Sequence, residues 1–234
     1  MKIFWQVSEH QKTLGGGIRY KNEDKVTILK KSWLSIQANI DETDQIFIIQ
    51  DDLSKDIRQW LVDTAQGLHQ VVKVPRHKKD YRGEKVKLYQ SIKKEIKNSN
   101  SSEILFAIED DYLFLPGAFQ IIRDAMKYWG GFVIPTDFPD NYKYPVYSTI
   151  YVGPERHWRT IGFSGHTLAA RASVWELHIE NLIKAAPTND LNIFSDIFKV
   201  NPGICPLPGI ATELEEAKMT PLVPWEQVWK EITI

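Results

Sequence analysis

The sequence has almost no cysteine and no long apolar run, and these two absences exclude several classes of protein. Cys205 is the one cysteine among 234 residues, so an internal disulfide and a multi-cysteine zinc site are both excluded. No segment reaches the roughly 18 consecutive apolar residues that a membrane-spanning helix needs. The start, Met1 to Gln6, lacks the apolar region of a secretory signal. We therefore expect a soluble, cytoplasmic protein with no integral membrane segment.

An excess of charge of either sign is also absent. The formal net charge is −1 with 25% charged residues, so the composition predicts no nucleic-acid partner. Basic residues do cluster between Lys73 and Lys97, but apolar residues interrupt them at helical spacing, which is typical of a solvated helix face. The Gly-x4-Gly-Lys-Ser/Thr pattern of P-loop enzymes is missing as well.

Short apolar runs alternate with helix-period segments in the first half of the chain. The runs 3–7, 45–50 and 104–108 have the composition of buried strands, and amphipathic stripes lie between them. Strands that alternate with helices pair in parallel through right-handed crossovers. We therefore predict one α/β domain, residues 1–234, with a mostly parallel central sheet flanked by helices.

The second half of the sequence is less regular and carries the residues suited to substrate recognition. Aromatic and arginine side chains in loops suit the binding of a polar ring, and Trp158 and Arg159 are candidates, although core packing is the alternative for Trp158. The segment 201–209 is rich in proline and glycine, which predicts irregular structure. We therefore expect residues 113–234 to shape the substrate site.

Acidic residues follow two of the predicted strands. Asp51 and Asp52 end one of them, and Glu109, Asp110 and Asp111 end another. The carboxyl ends of parallel strands share one edge of the sheet, where open α/β sheets bind ligands. Neighbouring carboxylates repel each other, and a divalent cation with oxygen ligands relieves that cost. The triplet therefore predicts a metal site, with a solvated acidic turn as the alternative.

Together these segments resemble a GT-A-fold glycosyltransferase, close to the family 2-like viral and bacterial types. The matching segments are the Asp-Asp-x-Ser turn at 51–54, Glu-Asp-Asp-Tyr at 109–112, Asp-Phe-Pro-Asp-Asn-Tyr at 137–142, His-Trp-Arg at 157–159 and Pro-Leu-Pro-Gly-Ile-Ala-Thr at 206–212. The likeness spans nearly the whole chain, and its most specific element is the acidic triplet, which stands where the family has its Asp-x-Asp metal motif. It implies a single nucleotide-diphospho-sugar transferase domain, in which residues 1–112 bind the nucleotide and residues 113–234 shape the acceptor and sugar site.

The resemblance also implies ligands and site residues. The donor would be a nucleotide sugar held with Mn²⁺ or Mg²⁺, and the acceptor a hydroxyl of a glycan or another molecule. Donor binding would fall to Asp51, Asp52, Arg19, Asp110, Trp158 and Arg159. The metal would be held by Asp111, with Glu109 close by and Glu213 where many members have a histidine.

An inverting reaction would need a carboxylate base near the acceptor hydroxyl. Asp190 is the best match to the position of that base in the resembling enzymes, and Asp196 is the second. The alternative for Asp190 is a helix cap, for which aspartate is a preferred residue.

The main prediction is a metal-dependent glycosyltransferase, and two alternatives remain open. A nucleotidyltransferase acting on a sugar phosphate shares a related core and would use the glycine turn before Arg19 for the triphosphate. The sequence lacks the Pro-Lys pair that we would expect after that turn. The second alternative is a non-catalytic domain that binds a nucleotide sugar or a glycan.

Overall fold

The fold is described from a computed structural model of the chain. The structure describes residues 1–9, 17–51, 53–73, 83–143, 147–153, 155–163, 167–187 and 191–234. The strands are β1 (Lys2–Ser8), β2 (Gln45–Asp51), β3 (Leu68–Lys73), β4 (Ile104–Glu109), β5 (Tyr112–Phe114), β6 (Phe132–Val133), β7 (Ile150–Val152), β8 (His157–Ile161), β9 (Leu168–Arg171), β10 (Gly203–Leu207) and β11 (Ala211–Glu213). The α-helices are α1 (Lys25–Gln37), α2 (Lys55–Thr64), α3 (Gly83–Ile96), α4 (Ala118–Tyr128), α5 (Asp140–Lys143), α6 (Ala172–Ala185), α7 (Leu191–Val200) and α8 (Trp225–Glu231).

A nine-stranded sheet with the order β3-β2-β1-β4-β9-β6-β10-β8-β7 forms the centre of the molecule. β1 pairs in parallel with both β2 and β4, and β6 pairs in parallel with β10. β9 and β8 run against their neighbours. The predicted α/β domain with a mostly parallel sheet is therefore confirmed. The division into a nucleotide half and an acceptor half concerns function and stays a prediction.

The central strands are mostly apolar because helices cover both faces of the sheet. In β1, successive side chains enter opposite cores. Trp5 packs against Trp33 of α1, with ring centroids 4.9 Å apart, and Phe4 stacks on Phe47 of β2 at 4.8 Å. This burial fixes the position of β1, and therefore of the edge at which it ends.

The start of α1 is set by a capping aspartate. Asp24 accepts a hydrogen bond from the backbone N–H of Thr27 at 2.9 Å, which satisfies one of the free donors of the first turn. Lys25 is the first residue of the helix. Because α1 packs against β1 and β5, the cap also fixes where Lys25 lies relative to the ends of the strands.

The prediction of irregular structure at 201–209 is wrong for most of that segment. Residues Gly203–Leu207 form β10, which lies inside the sheet between β6 and β8. Pro206 is tolerated because β6 pairs only with Gly203 and Ile204, so the ladder on that side ends before the proline. Gly203 is required at its position, since a Cβ there would lie 2.9 Å from the ring of Phe198.

A smaller two-stranded sheet and the last helix cover one end of the molecule. β5 pairs antiparallel with β11, and Tyr112 lies opposite Glu213. α8 packs its tryptophans against Tyr20, with the Tyr20 and Trp229 ring centroids 5.4 Å apart. The Lys31 ammonium of α1 donates to the backbone carbonyl of Trp229 at 2.8 Å, which ties α8 to α1. Among the residues that the structure describes, no helix has the length and apolar character needed to cross a bilayer.

Candidate functional site

The carboxyl ends of three central strands meet at one edge of the sheet. Ser8 at the end of β1 lies beside Asp51 at the end of β2, and Glu109 ends β4 on the other side. The first acidic pair thus ends on the same edge as the triplet, as parallel pairing requires. Asp52 and the side chain of Asp51 lie outside the described residues, so their role in donor binding stays a prediction.

Asp110 forms a buried ion pair at this edge. The Lys25 ammonium lies 2.5 Å from Oδ1 of Asp110, and the backbone N–H of Ser8 donates to Oδ2 at 2.7 Å. Both charged side chains are almost completely buried. Burial alone would lower the pKa of Lys25, but the negative charges of Asp110 and Asp111 outweigh it and raise that pKa. Lys25 is therefore a permanently charged ammonium at the strand ends.

Lys25 was not predicted as a site residue from the sequence. The expected pattern was a proline followed by a lysine after Arg19, and no proline precedes Lys25. The position of Lys25 is nevertheless unusual, because the helix dipole disfavours a lysine at the first position of a helix, and a buried lysine there needs an acidic partner. Arg19 lies close enough for its charge to oppose the protonation of Lys25. Two cations therefore lie close together at the ends of the strands.

Asp111 and Glu213 are brought together by the pairing of β5 with β11. The backbone N–H of Leu214 donates to the carbonyl of Asp111 at 2.7 Å, next to the Tyr112 and Glu213 pair in the ladder. Oδ1 of Asp111 is inaccessible to solvent and accepts no hydrogen bond from any described residue. These two carboxyls come from positions about a hundred residues apart in the chain, and only the antiparallel pairing makes them neighbours.

Both carboxyls are held in an environment that disfavours their charge. Burial raises the pKa of Asp111 to about 7, with Lys25 opposing the rise and Asp110 and Glu109 adding to it. Burial likewise raises the pKa of Glu213 to about 8, with Asp111 adding to the rise and Lys218 opposing it. A divalent cation would remove this cost, because it would favour the charged form of both groups.

The carboxyl-terminal segment also supports the turn that leads to Arg19. The backbone N–H of Tyr20 donates to the carbonyl of Leu214 at 3.0 Å, and the N–H of Glu216 donates to the carbonyl of Ile18 at 2.9 Å. Gly17 approaches this segment so closely that a Cβ there would lie 2.2 Å from the carboxyl carbon of Glu215. Gly17, Lys25 and the acids are therefore parts of one packed corner at the ends of the strands.

The residues present fit a divalent cation bound by few protein ligands. Within the described ranges, no three His, Cys, Asp or Glu side chains are grouped to hold a metal by themselves. Mg²⁺ is commonly bound through one or two carboxylates together with substrate phosphates and waters. Asp111 and Glu213, with the unpartnered Oδ1 of Asp111, match that donor set, and Glu109 lies near enough to influence both.

Arg159 is engaged in a second buried ion pair. Its guanidinium donates to Asp137, which also accepts hydrogen bonds from the Tyr142 hydroxyl and, at 3.2 Å, from the side chain of Asn141. The guanidinium lies over the Tyr142 ring, 4.6 Å from its centroid. Trp158, for its part, packs against the main core cluster. Both placements favour structural roles, and donor binding by these two residues stays a prediction.

Replacing Arg159 with methionine is expected to lower the free energy of unfolding by about 3 to 5 kcal/mol, because Asp137 would be left as an uncompensated buried charge. Urea denaturation would measure the change. The matched control is Arg58→Met on the exposed face of α2, where little change is expected. A loss below about 1 kcal/mol would contradict the structural role of the pair.

Asp196 lies on the solvent side of α7. Its carboxylate pairs with Lys199 one turn later at 2.6 Å, and three quarters of the side chain is exposed. Asp190, the first candidate for the base, lies outside the described residues. Because this carboxylate is exposed and already paired with Lys199, we expect Asp196→Asn to leave turnover within about twofold of the wild type, as for other exposed residues away from a site. Steady-state kinetics would test this, and a loss of about a hundredfold would restore Asp196 as a candidate base.

Several solved structures are similar to this chain. A protein from Bacillus anthracis, described as a glucose-1-phosphate thymidylyltransferase and crystallised with sucrose, is 10% identical, with 100% of this chain and 96% of that chain covered and a TM-score of 0.50. This chain has the nucleotide-diphospho-sugar transferase fold. The inositol-1-phosphate CTP transferase of T. maritima is 13% identical, with 98% and 94% covered and a TM-score of 0.48. A 4-diphosphocytidyl-2C-methyl-D-erythritol synthase from Anaerococcus prevotii is 11% identical, with 97% and 91% covered and a TM-score of 0.47.

The Bacillus anthracis structure corrects the function predicted from the sequence. That protein is described as a thymidylyltransferase, whereas the sequence pattern predicted glycosyl transfer. The description agrees with the alternative of a nucleotidyltransferase. No protein-family model and no curated protein matches the sequence.

Proposed function

We propose that the chain is an enzyme that transfers a nucleotidyl group from a nucleoside triphosphate to a sugar phosphate. The observation that carries this proposal is Lys25, a buried ammonium fixed against Asp110 at the ends of β1 and β4. Triphosphate binding needs positive charge at the strand ends beside the glycine turn, and Lys25 with Arg19 supplies it. The fold, shared with the thymidylyltransferase from Bacillus anthracis, supports the same class of reaction.

The chemistry would be an in-line displacement at phosphorus. A phosphate oxygen of the sugar phosphate forms a bond to the α-phosphorus of the triphosphate, the bond from that phosphorus to the bridging oxygen of the β-phosphate breaks, and pyrophosphate leaves with the electron pair. Lys25 would stabilise the negative charge that develops on the leaving group, because its ammonium is already desolvated and positioned. Arg19 would orient the triphosphate from the glycine turn.

Asp111 and Glu213 would hold Mn²⁺ or Mg²⁺, and the bound cation would supply positive charge to the phosphates.

The proposal is tested by incubating the chain with each common nucleoside triphosphate and a panel of sugar 1-phosphates in the presence of Mg²⁺ or Mn²⁺. Pyrophosphate release and a nucleotide sugar of the matching mass are the expected products. Asp111→Asn should lose the metal stimulation, whereas Asp124→Asn on the exposed face of α4 should keep it. Binding of a triphosphate without turnover on any acceptor would instead favour the non-catalytic nucleotide-binding alternative.

A further inference from the structure

Lys218 lies between two acids that border the proposed metal site. Its ammonium is 2.5 Å from Oε1 of Glu213 and 3.0 Å from Oε2 of Glu215. The two acids are almost buried, with side-chain exposures of 12% and 15%, whereas the lysine side chain is 42% exposed. A partly exposed lysine side chain thus brings one positive charge to two desolvated carboxylates.

The corner needs that charge when no divalent cation is bound. Buried carboxylates that lie close together repel one another, and this corner brings Glu213 and Glu215 next to Asp111. Lys25 offsets part of the repulsion, but its ammonium is paired with Asp110, and its position is set by the start of α1. Lys218 supplies the remaining compensation, and it does so at an oxygen of Glu213 that a metal would need.

The position of Lys218 also allows its ammonium to move away from Glu213. It ends a short 3-10 turn, Glu216–Lys218, and no described residue other than Glu213 and Glu215 pairs with its ammonium. Because Glu215 is a second partner, the lysine can release Glu213 and still keep one ion pair. Glu215 also packs against Gly17, so this movement would change the surroundings of that glycine.

We propose that Lys218 is a resident counter-ion, which occupies Glu213 in the metal-free protein and is displaced from it when a divalent cation binds. This inference rests on the proposed function for the identity of the metal site. It makes the lysine a direct competitor of the cation, so the apparent metal affinity is lower than the two carboxylates alone would give.

The inference is tested by titrating Mn²⁺ into the full chain and measuring free Mn²⁺ by electron paramagnetic resonance. Lys218→Met is expected to lower the Kd for Mn²⁺ by about tenfold, which corresponds to about 1.4 kcal/mol. Lys218→Arg retains the charge and should stay near the wild type. Lys230→Met, which removes an exposed lysine of α8, is the matched control and should change nothing. Thermal unfolding of each variant verifies that it is folded.

The Mn²⁺ titration and the turnover assay together distinguish a failure of the counter-ion inference from a failure of the proposed function. Equal or weaker Mn²⁺ binding by Lys218→Met would overturn the role of Lys218, even if the wild-type chain releases pyrophosphate from a triphosphate. Mn²⁺ binding by neither the wild type nor Lys218→Met would overturn the metal site and the inference with it. Tighter Mn²⁺ binding by Lys218→Met, with no turnover of any triphosphate, would support the counter-ion and contradict the proposed function.

Discussion

Lys25→Met is expected to reduce nucleotidyl transfer by about a hundredfold or more, the usual effect of removing one preorganised charge from a transition state. The same change should lower the free energy of unfolding by about 3 kcal/mol, because it leaves Asp110 as a buried charge without its cation. Steady-state rates of pyrophosphate release and urea denaturation would measure the two effects. Lys127→Met is the control for both, since that lysine is exposed at the end of α4.

A second substitution separates catalysis from stability at this position. Lys25→Met combined with Asp110→Asn removes both charges of the pair, so most of the lost stability should return. The activity should not return, because the ammonium that faces the triphosphate is still missing. Recovery of the activity together with the stability would show that Lys25 acts only on the fold.

Asp111→Asn is expected to make the metal-free protein more stable at alkaline pH. Burial raises the pKa of Asp111 from its ordinary value of 3.8 to about 7. The folded protein therefore holds a proton that the unfolded chain has already released across this range, so the stability of the wild type falls as the pH rises through it. Above that range the folded protein carries a buried charge, which the asparagine variant does not.

Urea denaturation at about pH 5 and about pH 8.5 tests this sign, because the carboxyl of the folded wild type is neutral at the lower pH and charged at the higher one. The stability difference in favour of the variant should grow by about 2 kcal/mol between these two pH values, since one unit of pKa shift corresponds to about 1.4 kcal/mol and the folded carboxyl loses its proton near pH 7. Added Mn²⁺ should stabilise only the wild type. A variant less stable than the wild type near pH 8.5 without metal would contradict this account.

The parts of the fold that were predictable from the sequence are those in which local pattern and burial agree. The strands at 3–7, 45–50 and 104–108 are mostly apolar because both faces of the sheet are covered, and all three are present. β10 was missed because the prolines and glycines of the segment 201–209 look like a loop locally. The short pairing with β6 makes Pro206 acceptable in a strand.

The side chains of the candidate site were likewise only partly predictable from the sequence. The acids after two strands were placed on one edge by a topological rule, and β1, β2 and β4 do end together. The pairing of Asp111 with Glu213 depends on a ladder between distant segments, and it was named only through a resemblance. The ion pair of Lys25 with Asp110 was not found at all, since no local pattern relates the start of a helix to the end of a strand 85 residues away.

The most direct test of the central claim follows the phosphorus atoms of the nucleotide. With a triphosphate labelled at the α-phosphorus, or separately at the γ-phosphorus, the chain should place the α-label in a nucleotide sugar and the γ-label in pyrophosphate. The contrary result would be an unconsumed triphosphate while a supplied nucleotide sugar is converted to a nucleoside diphosphate.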